Sequence, residues 1–407
     1  MAANGNTQLH MFHHTPVSPM NRLDALGTLS PSLRARVEEL IGLSIRGLPQ
    51  MYAEGAFCHT VRLSGSDRQK VVTPEGDSLR YAINVALGLT FIDEAEQKAI
   101  LKGDTAADLV RRTTERAEHS EDTGAVALAA WTAAEATGIF AAPLFARLAR
   151  ILASPAPVAT VDCSWTLIAA IAARHLGDTR ALTAAARNRL IEAQGVSGLF
   201  PHHLPASTGG RLRAHIGCFA DQVYSTQGLS RLMIADGDTE ALEAAEACAA
   251  RICELQGPQG QWWWHYDTRD GSVVEGYPVY SVHQHAMAPM ALLDLREAGG
   301  TDYMYALGRG IRWLDGPNEA GCSMVSDSDA VIWRKVARRE PAKLVRYVSA
   351  ATTSLKAGMT LPGLDRMFPP GEIDHECRPY ELGWLLYAWL SGGTISNLAH
   401  RHAIAAS

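Results

Sequence analysis

The chain lacks a cysteine framework. Its seven cysteines, at 58, 163, 218, 248, 253, 322 and 377, are odd in number and form no CxxC. That scatter excludes a disulfide scaffold and points to free thiols in a reducing compartment, the cytoplasm. No apolar run reaches the roughly 18 residues a membrane span needs. The opening Met1-Ala2-Ala3-Asn4-Gly5 has neither the basic patch nor the apolar core of a secretory signal. Excess positive charge is also missing. The formal net charge of -6 excludes a general attraction to nucleic acid or anionic membrane. The densest basic run, Arg334-Lys335 through Arg338-Arg339, reads as a solvated helix face. There is no Gly-rich phosphate loop, nucleotide fingerprint or Ser nucleophile elbow, so no cofactor is expected.

What is present is a repeat. A helix runs into Gly-Asp-Thr, a second helix follows, and that helix ends in Gln-x-x-x-Gly-x-aromatic. The pattern spans Gly177-Asp178-Thr179 to Gln194, Gly198 and Phe200, and returns from Gly237-Asp238-Thr239 to Gln256, Gly260 and Trp262. A blurred third copy runs from Gly299-Gly300-Thr301-Asp302 to Asp315-Gly316-Pro317-Asn318. The period of about 60 residues makes the unit a helical hairpin.

Six Ala-rich segments are apolar nearly all round, as helices buried on both sides must be. They cover 82–89, 124–136, 166–176, 225–234, 286–295 and 382–390. Each is preceded by polar residues, several with N-cap chemistry. The segments 104–117, 179–193, 239–255 and 302–314 are amphipathic and charged, as outer helices should be. Six inner and about six outer helices predict an all-α, single-domain (α/α)6 barrel over 55–407. An N-terminal arm with a helix at 32–52 would occupy 1–54, and 55–78 reads as a loop or short hairpin.

In this arrangement the polar starts of the inner helices share one end of the barrel. Carboxylates, histidines and aromatics converging there suit acid/base chemistry. Asp122, Asp221 and Glu381 are the candidate carboxyls, with Tyr224 and His283 as proton-transfer partners. Arg80, Tyr81, Tyr280, His285 and Arg378 are candidate substrate contacts, and Trp262 and Trp264 are candidate stacking surfaces for a sugar. Asp162, Trp165, His202, Arg334 and Tyr380 stand at the same entrances.

The hairpins and the Gln256-x-x-x-Gly260-x-Trp262 turn resemble the α/α-toroid superfamily over about residues 78–392. That group includes six-hairpin glycosidases, (α/α)6 polysaccharide lyases, sugar epimerases, class II terpene cyclases and prenyltransferase β subunits. The turn is similar to the QW motif of squalene-cyclase-like proteins, and its other reading is structural, with Gln capping a helix and the aromatic packing on the next hairpin. Asp327-Ser328-Asp329 resembles the DxD core of the cyclases, which would make Asp329 a proton donor to an alkene. Prenyltransferase β subunits bind zinc through Asp, Cys and His. Here Asp221 and Cys218 lie close, with His283 or His285 to complete a set, but in reversed order, and no metal is expected. Three readings stand: an acid/base enzyme on a carbohydrate (hydrolase, uronate lyase or epimerase) taking a small-molecule or oligosaccharide substrate, a terpene-cyclase-like enzyme, and a non-catalytic binding toroid.

Overall fold

The computed structural model describes residues 21–66, 69–341, 343–397 and 400. Most of the expected N-terminal arm, residues 1–20, lies outside them. Twelve helices build the barrel: α1 (Pro31–Gly47), α2 (Leu79–Leu89), α3 (Ala106–Glu118), α4 (Thr123–Thr137), α5 (Ala142–Ala153), α6 (Thr160–Ala173), α7 (Arg180–Ala193), α8 (Phe219–Asp236), α9 (Thr239–Glu254), α10 (Ala288–Glu297), α11 (Met304–Trp313) and α12 (Pro379–Leu390). A π turn, His283–Met287, leads into α10.

The even-numbered helices form a closed inner ring, α2–α4–α6–α8–α10–α12, and α12 packs back on α2. The odd-numbered helices lie outside them. The molecule is an (α/α)6 toroid. Every residue of α4 from Gly124 to Ala134 is buried, which a helix enclosed on both sides requires. Outer α3 instead buries a stripe at Ala106, Leu109, Val110, Thr113 and Ala117 and shows charge elsewhere. Small residues let the inner ring close tightly. A Cβ on Gly88 of α2 would lie 2.3 Å from the Gly383 carbonyl oxygen of α12.

The repeat is a brace between successive outer helices. The Gln194 amide donates to the Gly198 carbonyl (2.7 Å) and to Ala244 of α9 (2.8 Å). The Gln256 amide does the same to Gly260 (2.8 Å) and to Ala306 of α11 (2.9 Å). Gly198 and Gly260 adopt φ of 85° and 97°, and a Cβ on either would strike a backbone carbonyl of the next outer helix. Phe200 and Trp262 are fully buried behind these turns.

Three details depart from expectation. The helix at 32–52 is present as α1 and packs on α12 and α11 as an outer helix. Outer α5 was not anticipated, although Leu144, Phe145, Leu148 and Leu152 give it a clear buried stripe. The basic run is not a helix face: Lys335–Arg338 is a strand between Val279–Tyr280 and Pro370–Asp374. Short antiparallel sheets of this kind edge the end of the barrel where the inner helices begin. Among them is the hairpin Thr60–Ser66 with Gln69–Glu75, extended by Glu376–Cys377.

Candidate active site

The inner-helix N-termini surround a cavity of about 480 Å³. Arg80, Tyr81, Trp165, His202, Cys218, Tyr224, Trp264, Tyr280, His283, Arg334, Arg378 and Tyr380 line it, with Asp162 as the carboxyl on its wall.

Of the four carboxyls at these inner-helix starts, three are engaged by backbone. Asp122 caps α4, accepting from the Gly124 N–H at 3.0 Å. Asp221 accepts the Cys218 N–H at 2.7 Å, and Glu381 the Arg378 N–H at 3.4 Å, each as part of a capping box. Asp162 makes no such bond among the described residues. It sits in the first turn of α6, its side chain 14% exposed, with Arg80 Nη2 at 3.5 Å. Arg80 gives its stronger contacts to Asp122 through Nε (2.5 Å) and Nη2. Desolvation pushes the Asp162 carboxyl up to about 6, with Asp122 and Asp221 adding to it against the pull of Arg80. For Asp122, desolvation acts upward but the bonds from Arg80 win, and its carboxyl is held below the usual range. One guanidinium nitrogen thus touches two carboxyls whose pKa values are shifted in opposite directions.

Glu381 is fully buried, and desolvation raises it to about 7 against the attraction of Arg334 and Arg378. It lies behind the wall, 3.6 Å from Arg334 Nε. Arg334 also faces Glu376 (3.7 Å) and Asp374 (3.8 Å), and its guanidinium covers the Tyr280 ring at 5.1 Å. Arg378 donates to the Tyr81 hydroxyl at 2.6 Å. The Tyr224 hydroxyl accepts from Trp384 Nε1 at 2.8 Å, and burial raises its pKa. Burial, then Arg334, lowers His283 to about 3, so its imidazole is neutral. Aromatic pairs flank the space: Tyr81 on Tyr380 at 4.6 Å, Trp165 against Tyr224 at 4.9 Å and Trp264 against Tyr280 at 6.2 Å.

Of the residues singled out from sequence, Arg80, Tyr81, Tyr224, Trp264, Tyr280, His283 and Arg378 therefore meet on one cavity. Asp221 and Glu381 are fully buried behind it, and Asp122, with its side chain 40% exposed, is bound to Arg80 of the wall. Three others do not face it. Trp262 packs in the core against Phe219 at 5.8 Å, as its brace position demands. His285 is wholly buried and, unlike His283, is not among the residues that line the cavity. Asp329 sits on the turn of the hairpin Val325–Ser326 with Val331–Ile332, its carboxylate taken by the Ser326 hydroxyl at 2.6 Å. Its place outside the cavity gives no support to an alkene-protonating role. Sequence reasoning put Asp162 at the entrance but not among the candidate acids. Its position at the start of an inner helix was the available signal. His202, not His283 or His285, is the histidine beside Cys218 and Asp221.

No protein-family model and no curated relative matches the chain. Solved structures do. An unsaturated glucuronyl hydrolase specific for heparin is 14% identical with a TM-score of 0.55, covering 91% of this chain and 97% of its own. The unsaturated glucuronyl hydrolase of Bacillus sp. GL1, described as responsible for glycosaminoglycan degradation, is 13% identical with a TM-score of 0.54, covering 88% and 96%. A wild-type glycosidase is 16% identical with a TM-score of 0.51, covering 91% and 99%. At these identities the likeness is one of fold. These toroids of the same architecture are carbohydrate-active enzymes.

Proposed function

We propose that this protein is a hydrolase of acidic carbohydrates that works by general acid catalysis, with Asp162 as proton donor. The observation that carries the reading is the state of Asp162: a largely desolvated carboxyl on the cavity wall, raised to about 6 and engaged by no helix cap. A donor must hold its proton near the working pH and release it to a leaving oxygen, which a pKa near 6 permits. Asp122, kept ionised by Arg80, is the nearby carboxylate that can stabilise positive charge or orient water.

Substrate charge follows from the lining. Three guanidiniums, of Arg80, Arg334 and Arg378, face the cavity against the one lining carboxyl. Arg forks match a carboxylate in two bonds, so a uronate is the sugar class favoured. The Tyr81–Tyr380 and Trp264–Tyr280 pairs offer faces for pyranose C–H groups. Two of the structural neighbours carry names of enzymes for unsaturated glucuronides, and another is a complex with dGlcA-Glc-Rha-Glc, which fits this choice.

The test is incubation with an unsaturated glucuronyl disaccharide while following the near-UV absorbance of its conjugated double bond. Hydrolysis removes the chromophore. The opposite result, a chromophore appearing from a saturated uronide polymer, would reassign the protein as a lyase. Full activity in Asp162→Asn would remove Asp162 from the mechanism.

A further inference from the structure

We propose that His202, Cys218 and Asp221 form a divalent-metal site of the zinc class in the cavity wall, with its open coordination position facing the cavity. His202 Nδ1 lies 3.0 Å from Asp221 Oδ2 and 3.8 Å from Cys218 Sγ, and one ligand atom from each residue falls within 4.8 Å of the others. Tetrahedral zinc with Zn–N and Zn–O near 2.0–2.2 Å and Zn–S near 2.3 Å spaces its ligands about 3.3–3.6 Å apart. The three side chains need shifts of a few tenths of an ångström to about one ångström to meet that spacing. One imidazole, one thiolate and one carboxylate make a neutral set around a divalent ion, and three protein ligands leave the fourth position free.

A second observation points to a missing cation. Asp221 has no solvent exposure, yet its Oδ1 has no hydrogen-bond partner among the described residues. A buried carboxylate oxygen left bare is costly. The cap explains Oδ2 only, through the Cys218 N–H. The ligands are also held from behind. The capping box places the Asp221 N–H on Cys218 Sγ, fixing the sulfur at the start of α8. His202 is anchored by the neighbouring strand His203–Leu204, paired with Val158–Ala159. His202 and Cys218 line the cavity, so a bound ion's open side meets the substrate space. Asp162 adds negative charge near His202, and Arg213 positive charge.

Proton balance is simple. Without metal, Nδ1 donates to Asp221. On binding, the imidazole takes the Nε2–H tautomer and keeps one proton, the thiol proton leaves to solvent, and sulfur, nitrogen and carboxylate bind the ion.

The test uses the full chain after chelator treatment. Zinc is titrated against a chromophoric chelator, and cobalt is added separately to read the ligands. We expect one zinc per chain and a near-UV thiolate-to-cobalt charge-transfer band. Cys218→Ser should abolish the band and His202→Gln weaken zinc binding at least tenfold. Cys322→Ser, which alters an exposed thiol, should keep both. Failure to compete with the chelator, or a band that survives Cys218→Ser in a protein with unchanged circular dichroism, would overturn the site. If Cys218→Ser fails to fold, the His202→Gln titration decides. Neither measurement involves sugar, so loss of this site leaves the Asp162 reading standing, and the reverse.

Discussion

The barrel holds two buried charge clusters, one at each end, and they are finished to different degrees. At the floor, Arg231 bonds Glu135 (3.0 Å), Asp294 (2.7 Å) and the Tyr387 hydroxyl (2.5 Å), using all three of its nitrogens. Both Glu135 oxygens accept, from Tyr387, Trp131 and Arg231, and both Asp294 oxygens accept, from Arg22, Arg231 and Gln227. At the mouth the same residue types leave atoms bare. Among the described residues, Asp221 Oδ1, Glu381 Oε1, Glu376 Oε2, Arg334 Nε and Arg378 Nε lack hydrogen-bond partners, and Arg334 meets its acids only at 3.6–3.8 Å. A satisfied network specifies a packing. An unsatisfied one has capacity left for a ligand, and carries its cost in stability. The direction of the titrations agrees. At the floor, burial alone would raise Asp294, but Arg231 and Arg22 overcome it and hold the carboxyl down, whereas Asp162 and Glu381 are pushed up.

The sharpest way to break the comparison is to neutralise one acid at each end. Asp162→Asn should reduce turnover by roughly 10²–10⁴-fold, the range of a lost general acid, while the melting temperature holds or rises. A variant that loses stability and keeps turnover would reverse the assignments of mouth and floor. Asp294→Asn leaves Arg231 and Arg22 short of their counter-charge and should cost roughly 3–5 kcal/mol in denaturant unfolding. Its activity per folded molecule should persist.

Next in size is the substrate charge. Arg378→Met removes one of the three lining guanidiniums and should raise KM for a uronide by about tenfold, an effect worth ~1.4 kcal/mol. KM for a neutral glycoside should move far less. Equal shifts for both would argue against carboxylate recognition.

The pH dependence separates the ends again. Asp162 and Glu381 bind protons more tightly folded than unfolded, so their penalty is absent below the ordinary carboxylate range. It is fully present above about 6 for Asp162 and about 7 for Glu381. Asp294, shifted down, contributes stability above its unfolded pKa and loses it as the pH falls through its folded one. Buried His265, His283 and His285, lowered to about 3, act in the opposite direction up to the ordinary imidazole range. The readout is therefore a difference: the double variant Asp162→Asn, Glu381→Gln should gain in melting temperature over the parent by a margin that grows from pH 5 to about 7. Turnover should fall as pH rises through about 6 if Asp162 must carry its proton. The smallest effect expected is at Asp329, where Asn should leave activity unchanged and alter stability by no more than about 0.5 kcal/mol.

The barrel was legible because enclosure leaves a mark on composition: a helix such as α4 is buried and uncharged over eleven consecutive residues, and its one acid, Glu135, is held by Arg231. Outer α5 was equally patterned but Pro-initiated and outside the Gly-Asp-Thr punctuation, so nothing drew attention to it. At the site, the entrance residues were readable and their states were not. Asp122 and Asp162 both begin inner helices, and the difference between them comes from the deeper burial of Asp162 and the bonds Arg80 gives to Asp122. Trp262 shows the reverse problem. An aromatic beside other aromatics suggested a sugar platform, yet its turn glycine fixes it against the next hairpin.

The glycine-to-glycine seam between α2 and α12 has a consequence in time. Arg378 and Tyr81, which share a hydrogen bond, stand 297 residues apart in the chain. During synthesis, five inner helices emerge before the one that closes the ring, and until then the apolar flank of α2 has no partner. The last helix also brings Arg378, Tyr380 and Glu381, so the substrate space is completed by the same event that seals the barrel. A nascent chain stopped before α12 is thus both sticky and inert, a natural client for chaperones and proteases.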